Sequence, residues 1–211
     1  MKIRWLGHAC FYIETEGKGL ITDPFDEKLG YPPFEQEIDI ATVSHEHWDH
    51  NAVHVLRGKP RVIRGTGQYE TEGIRINGFP SFHDKKQGAD RGQNTIFKIS
   101  AEGLDILHLG DLGHLLLQEE IDLIGHVDIL LIPVGGTFTI DADEAFELVE
   151  KLQPGIIIPM HFDTPHLSFD LAPVEAFTAK FDKTVKRPYL EVDKGSVQGL
   201  HGVIVLDYLQ R

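Results

Sequence analysis

The stretch His45-Glu46-His47-Trp48-Asp49-His50 decides how this chain is read. Three imidazoles and a carboxylate follow directly on the apolar run Ile38 to Val43. Imidazole nitrogen and carboxylate oxygen are the donors that zinc and iron take up. In an extended segment side chains alternate with a period of two, so His45, His47 and Asp49 share one face. His50 then needs a local bend, such as a helix start, to join them. A solvated, His-rich loop is the bland alternative, but packing gives no reason to end a strand in four such groups. A metal centre is the better account, and the rest of the chain must supply its missing ligands.

The surrounding composition sets bounds. At 211 residues the chain is read as one domain over 1–211, long enough to bury about 70% of its unfolded surface. Acidic side chains number 33 against 20 basic ones, for a net charge of -13, so a nucleic-acid partner is not expected. Twelve histidines form an excess that wants a reason. Cys10 is the single cysteine, which excludes an intrachain disulfide. Met1 to His8 lack the apolar core of a secretion signal, and no apolar run approaches a membrane span. A cytoplasmic location without membrane contact is the expectation.

Outward from the cluster, the first half reads as strands and the second alternates helix with strand. Lys2 to Leu6, Cys10 to Glu14 and Leu20 to Thr22 predict an antiparallel meander that ends in Asp23-Pro24. Ala52 to Leu56 predicts a short helix stopping at Gly58, with a strand over Arg61 to Arg64. Strands follow at Ile74 to Ile76 and Phe79 to His83, then a polar loop through Gly92. Thr95 to Ile99 and Leu104 to Leu109 predict a hairpin ending in Gly110-Asp111. Helices are predicted over Leu115 to Ile124, Ala142 to Leu152 and Pro173 to Phe181. Strands are predicted at Val127 to Ile132, Gly155 to Pro159, Arg187 to Val192 and Gly202 to Leu206.

Three further donors stand at the C-terminal ends of apolar strands, where α/β architectures gather their chemistry: His83, Asp111 and His161. With the opening cluster they make five imidazoles and two carboxylates. One metal takes three or four protein ligands, so this number suggests two metals with a shared carboxylate. His108 competes with His83 for the mid-chain place, but it lies inside an apolar strand and suits packing better.

The pattern His-x-His-x-Asp-His at 45–50, followed by a single His, Gly110-Asp111 and a final His161, resembles the metallo-β-lactamase-fold hydrolases. Leu6-Gly7-His8-Ala9, Thr22-Asp23-Pro24, Pro133-Val134-Gly135-Gly136 and Ile158-Pro159-Met160-His161 are most similar to the branch of ascorbate-6-phosphate lactonase and phospholipase-D-like members. The resemblance covers residues 1 to about 165. It implies an α/β fold, a four-layer αββα sandwich with a dinuclear site at one edge between two sheets. It also implies one metal on His45, His47 and His83, a second on Asp49, His50 and His161, and Asp111 bridging them. Zinc is the expected ion, with manganese or iron as alternatives.

Around this set the sequence offers supporting candidates. Asp23 can hydrogen-bond the outer nitrogen of a ligating histidine, although a turn before Pro24 explains it equally well. His8, after a tight Gly7 turn, can line the site or be an ordinary surface histidine. Two divalent ions lower the pKa of a shared water towards neutrality, giving a hydroxide nucleophile that Asp49 can orient. His114 and His166 are candidate acids for the leaving group. Lys85, Lys86 and Arg91 form a local basic group that can hold an anionic small-molecule substrate. A phosphodiester, a lactone or another ester is the expected substrate. A di-iron redox protein or a non-catalytic metal binder on the same fold are the alternatives. An amidohydrolase barrel needs about 250 residues and leaves Asp49-His50 unexplained.

Overall fold

The protein was analysed as a computed structural model that describes residues 1–208. Its strands form two mixed sheets, one of six strands and one of eight. The first sheet begins with the meander β1 (Lys2–Gly7), β2 (Cys10–Thr15) and β3 (Lys18–Thr22), all antiparallel. β4 (Glu37–Val43) and β5 (Arg57–Arg64) then add in parallel to β3. The second sheet opens antiparallel, with β6 (Gly67–Thr71), β7 (Ile74–Phe82), β8 (Gln93–Ala101) and β9 (Leu104–His108). It continues in parallel through β10 (Ile129–Pro133) and β11 (Ile156–Met160).

Period-two alternation decides which faces meet. In β2, Phe11 and Ile13 enter the core shared with the second sheet, whereas Cys10 and Tyr12 face the other way. The register Ile13↔Leu20 and Tyr12↔Ile21 carries that division into β3. β10 and β11 are buried along their whole length, as strands covered on both faces must be. The connections through α1 (Gln118–Ile124) and α2 (Ala142–Leu152) place both helices over one face of the second sheet. Asp141 caps α2 by accepting from the backbone N–H groups of Asp143 and Glu144, while the Glu144 side chain returns to the Asp141 N–H. Ala145, Leu148 and Val149 form the buried face of α2, and each fully buried leucine contributes roughly 1.5–3 kcal/mol. On the outer face of the first sheet, the cover is Phe25, Phe34, Val53 and Leu56 from loops and a 3-10 turn.

Several expected elements change shape. Ala52 to Leu56 forms only a 3-10 turn over Val53–Val55, and Gly58 lies within β5 rather than ending a helix. The helix expected from Leu115 begins at Gln118, and the one expected from Pro173 shortens to α3 (Glu175–Thr178). The strand expected over Arg187 to Val192 is two strands. β12 (Thr184–Arg187) belongs to the eight-stranded sheet and β13 (Leu190–Glu191) to the six-stranded one. Pro188 between them has no N–H for a ladder, so the chain changes sheet there. β14 (Gly202–Leu206) lies between β12 and β11. β6, unforeseen, is an edge strand whose residues are largely exposed, so no apolar alternation marks it. Among the described residues, no helix is long and apolar enough to cross a membrane.

Candidate metal centre

The segments that follow six strands, β1, β3, β4, β7, β9 and β11, deliver their side chains to one seam between the sheets. The segment after β4 does not continue as a strand. The His50 N–H donates to the His47 carbonyl at 3.0 Å, and this turn splits the cluster in two. His45 and His47 face His83, which follows β7, and their donor atoms lie within 4.8 Å of one another. His50 turns to face His8, after β1, and His161, after β11, again within 4.8 Å.

Asp111 joins the two groups. Its Oδ2 lies 3.2 Å from His83 Nε2, 3.3 Å from both His50 Nε2 and His161 Nε2, and 3.9 Å from His45 Nε2. Burial opposes ionisation of this carboxylate, but His161 and His50 hold it well below the usual carboxylate range. Asp49 Oδ2 reaches 3.3 Å from His8 Nε2 and 3.9 Å from His50 Nε2. Its carboxyl too is held low against burial, by His8 and His50.

The scaffold around these donors is specific. Asp23 accepts from the Ser44 N–H at 2.7 Å, from Ser44 Oγ at 2.5 Å and from His50 Nδ1 at 3.0 Å. Its bond to His50 fixes that ring so that Nε2 faces the seam. Asn94 holds the Asp111 turn: Oδ1 accepts from the Asp111 N–H, and Nδ2 donates to Leu109 O and Ser81 Oγ. Gly110 is obligatory here, since a Cβ would stand 2.4 Å from Asn94 Oδ1 and 2.6 Å from Ser44 Cβ. His8, Asp23 and His161 all have left-handed backbone, at φ 53°, 38° and 51°. Each such non-glycine residue costs on the order of 1–3 kcal/mol, and such strain concentrates at functional sites.

The donors suit a cation. His45 Nε2 and Asp111 Oδ1 are buried without a hydrogen-bond partner. Such atoms carry a desolvation cost of about 1–3 kcal/mol each unless something occupies their lone pairs. Burial and neighbouring His50 push His45 down to about 3, and burial with His83 lowers His47. Both rings are therefore neutral at pH 7 and can offer a nitrogen. Six imidazoles, His8 included, and the carboxylates of Asp49 and Asp111 form an N/O set that matches zinc and related divalent ions.

The remaining candidates divide. His108 stands apart in β9, where Nε2 donates to the Ala9 carbonyl at 2.8 Å and the ring lies edge-on to Phe11. His114 is tied to the backbone by both nitrogens: Nδ1 donates to Leu115 O and Nε2 accepts from the Phe82 N–H. His166 donates from Nδ1 to Gly30 O and packs on Tyr31. The structure therefore leaves His114 no free nitrogen for acid catalysis.

The basic group also separates. Asp84 accepts from the backbone N–H groups of Lys86, Gly88, Asp90 and Arg91, curling the loop around itself. That turns Lys85 to Glu144 at 2.5 Å and Lys86 to Asp90 at 2.8 Å, while Arg91 lies over the Phe138 ring at 4.6 Å. Arg91 and Arg64 line a cavity of about 360 Å³ that opens beside His45 and His47. A second cavity of about 350 Å³ is lined by Phe25 and Phe34 among others and by none of the clustered donors. The contributions of Ser44, Asn94 and Arg64 went unread in the sequence, where no local motif marks them.

Known proteins place this geometry. Residues 2–161 match the family model described as the β-lactamase superfamily domain. A UPF0173 metal-dependent hydrolase of Methanopyrus kandleri is 29% identical over 92% of this chain and 95% of its own length. One from Thermoplasma acidophilum is 32% identical over 81% of this chain and 85% of its own length. A crystal structure of a Thermotoga maritima protein of the metallo-β-lactamase superfamily superposes with a TM-score of 0.83 at 41% identity, covering 97% of both chains. The chain belongs to the metallo-β-lactamase superfamily, among its UPF0173 metal-dependent hydrolases.

Proposed function

We propose that this protein hydrolyses an anionic ester, such as a phosphodiester or a phosphorylated lactone, with two divalent ions of which zinc is foremost. The observation that carries this reading is Asp111 Oδ2, placed 3.2–3.3 Å from imidazole nitrogens of both histidine groups. His45, His47 and His83 would hold one ion, and Asp49, His50 and His161 the other, with Asp111 shared. When bound, such a pair supplies a water that is nucleophilic near neutral pH and a positive field for the oxygen that gains charge.

The chain's own groups do the rest. Asp23 and Asn94 fix the directions of His50 and Asp111, so the donors need not reorganise during the reaction. Asp49, whose side chain is 16% exposed, is the carboxylate of the set that reaches towards solvent. It accepts a hydrogen bond from the attacking water and so orients it. Arg91, which has no carboxylate partner among the described residues, holds the substrate's negative group beside His47. In a chain of net charge -13, that guanidinium is a local exception.

Metal analysis with a panel of bis-p-nitrophenyl phosphate, lactone and thioester substrates tests the reading. The expected result is two ions per chain and turnover that disappears in the double variant His45→Ala, His50→Ala. Turnover that survives in that variant would overturn it.

A further inference from the structure

We propose that His8 is a direct ligand of the ion in the half-site of His50 and His161, bonded through Nε2. The inference rests on the two-ion reading above and adds a donor that the histidine-rich cluster does not contain. His8 Nε2 lies 3.1 Å from His50 Nε2 and is nearer to it than to Asp49 Oδ2, at 3.3 Å. Two imidazole nitrogens on one tetrahedral zinc stand roughly 3.3 Å apart, from metal–nitrogen bonds of about 2.0–2.1 Å. The pair therefore already has the spacing of two ligands to one ion.

The tautomers point the same way. His50 Nδ1 donates to Asp23, so His50 Nε2 presents a lone pair to the seam. Once a cation takes that lone pair, no hydrogen bond can join the two Nε2 atoms. His8 Nε2 can then either donate to Asp49 Oδ2, at 3.3 Å, or give its lone pair to the same cation, and its closer approach to His50, at 3.1 Å, favours the cation. His8 is 1% exposed and its ring stands 4.2 Å from that of His161, so it has no route to solvent that keeps this packing.

The backbone holds the ring in this place. The register between β1 and β2 shifts between Trp5 and Gly7, and His8 follows in the two-residue turn that joins Gly7 to its partner Cys10. Gly7, at φ 121°, cannot carry a side chain, because a Cβ would lie 2.4 Å from the Tyr31 ring. The His8 carbonyl accepts from Trp5 Nε1 at 2.9 Å and from the His161 N–H at 3.1 Å. One member of the half-site thus positions another through the main chain. A ring that only steadied Asp49 would not need its nitrogen this close to His50.

With His8, this half-site has Asp49, His50, His161 and the shared Asp111 as further donors, five in all. That number suits ions that accept five or six ligands better than a strictly tetrahedral one.

The test is magnetic resonance of the intact protein loaded with a spin-active cadmium isotope, its histidine rings labelled with a spin-active nitrogen isotope. Scalar coupling between cadmium and Nε2 is expected for His8 as well as for His50 and His161, with His8→Gln used to assign the signal. Coupling to His50 and His161 with none to His8 would overturn this proposal alone. Loading of a single ion, coupled only to His45, His47 and His83, would overturn the two-ion reading and this proposal with it. Competition with a chromophoric chelator gives a second measure. His8→Gln keeps a donor for Asp49, yet it should weaken the second ion by more than about a hundredfold, beyond the roughly 10–100-fold typical of residues that only support a ligand. A loss of about a hundredfold or less would also overturn it.

Discussion

The two halves of the centre are built to different plans. His45, His47 and His83 come from two turns that border a cavity, and His47 is exposed. His8, His50 and His161 are all buried, two of them on strained backbone, with Asp23 locked behind His50. An open half-site can exchange ligands and admit a substrate. A closed one keeps its donors fixed, and the strain it stores is offset by the surrounding packing. The cavity lies on the His47 side and the strained, buried donors on the His50 side, a division that the proposed entry of substrate beside His47 would use.

The most severe way to break that contrast is Asp111→Ala. Both half-sites lose their common donor, so metal content should fall for both ions and kcat/KM should drop about a thousandfold or more, given the several kcal/mol such ions supply. His161→Ala should remove mainly one ion, which elemental analysis distinguishes. Asp23→Asn probes mainly the closed half. It should weaken the second ion by about 10–100-fold in chelator competition and the first by less, because Asp23 reaches His45 only through Ser44, whose Oγ lies 2.9 Å from His45 Nδ1. Asn94→Ala takes the side-chain partner from the Asp111 N–H and the Leu109 carbonyl, while Ser81 Oγ keeps its bond to the backbone carbonyl of residue 94, and chemical denaturation should register a loss of about 1–3 kcal/mol.

The open half is probed more gently. Arg91→Ala should raise KM for anionic substrates about tenfold, the loss of one charge-assisted hydrogen bond, and leave uncharged substrates alone. Lys85→Ala and Lys86→Ala should leave both constants unmoved in the same assay, because each lysine is engaged with a carboxylate away from the cavity. An equal response from all three variants would dissolve the distinction drawn between Arg91 and its neighbours.

What could be read in advance depended on how local the signal was. His45 to His50 is a contiguous motif at the end of an apolar strand, so the strand and its load were both visible. Its division was not, because the hydrogen bond from His50 to His47 is a matter of turn geometry. His83 and His108 looked alike as isolated histidines near strand ends. Pairing settles their surroundings, since the register Phe97↔His108 puts His108 in the core while His83 falls just beyond β7. The basic loop misled for a related reason. Its composition is basic, but four backbone donors converging on Asp84 decide where each side chain goes. Asn94 and Ser44 act only through contacts between distant segments, and a single sequence carries no trace of those. β6 was illegible because an exposed edge strand has no apolar rhythm to detect.

The half-site of His8 and His161 has one more consequence. His8 leaves the six-stranded sheet and His161 the eight-stranded one, and the intervening chain is most of the molecule. An ion shared by them would be a rivet through the seam, closing a loop longer than 100 residues, for which the chain-entropy model of a cross-link gives roughly 4–5 kcal/mol. Such a rivet acts on the lifetime of the fold as much as on its chemistry. A chelator would then shorten the time the sheets stay together, and the rate of unfolding becomes a way to read the metal without any substrate at all.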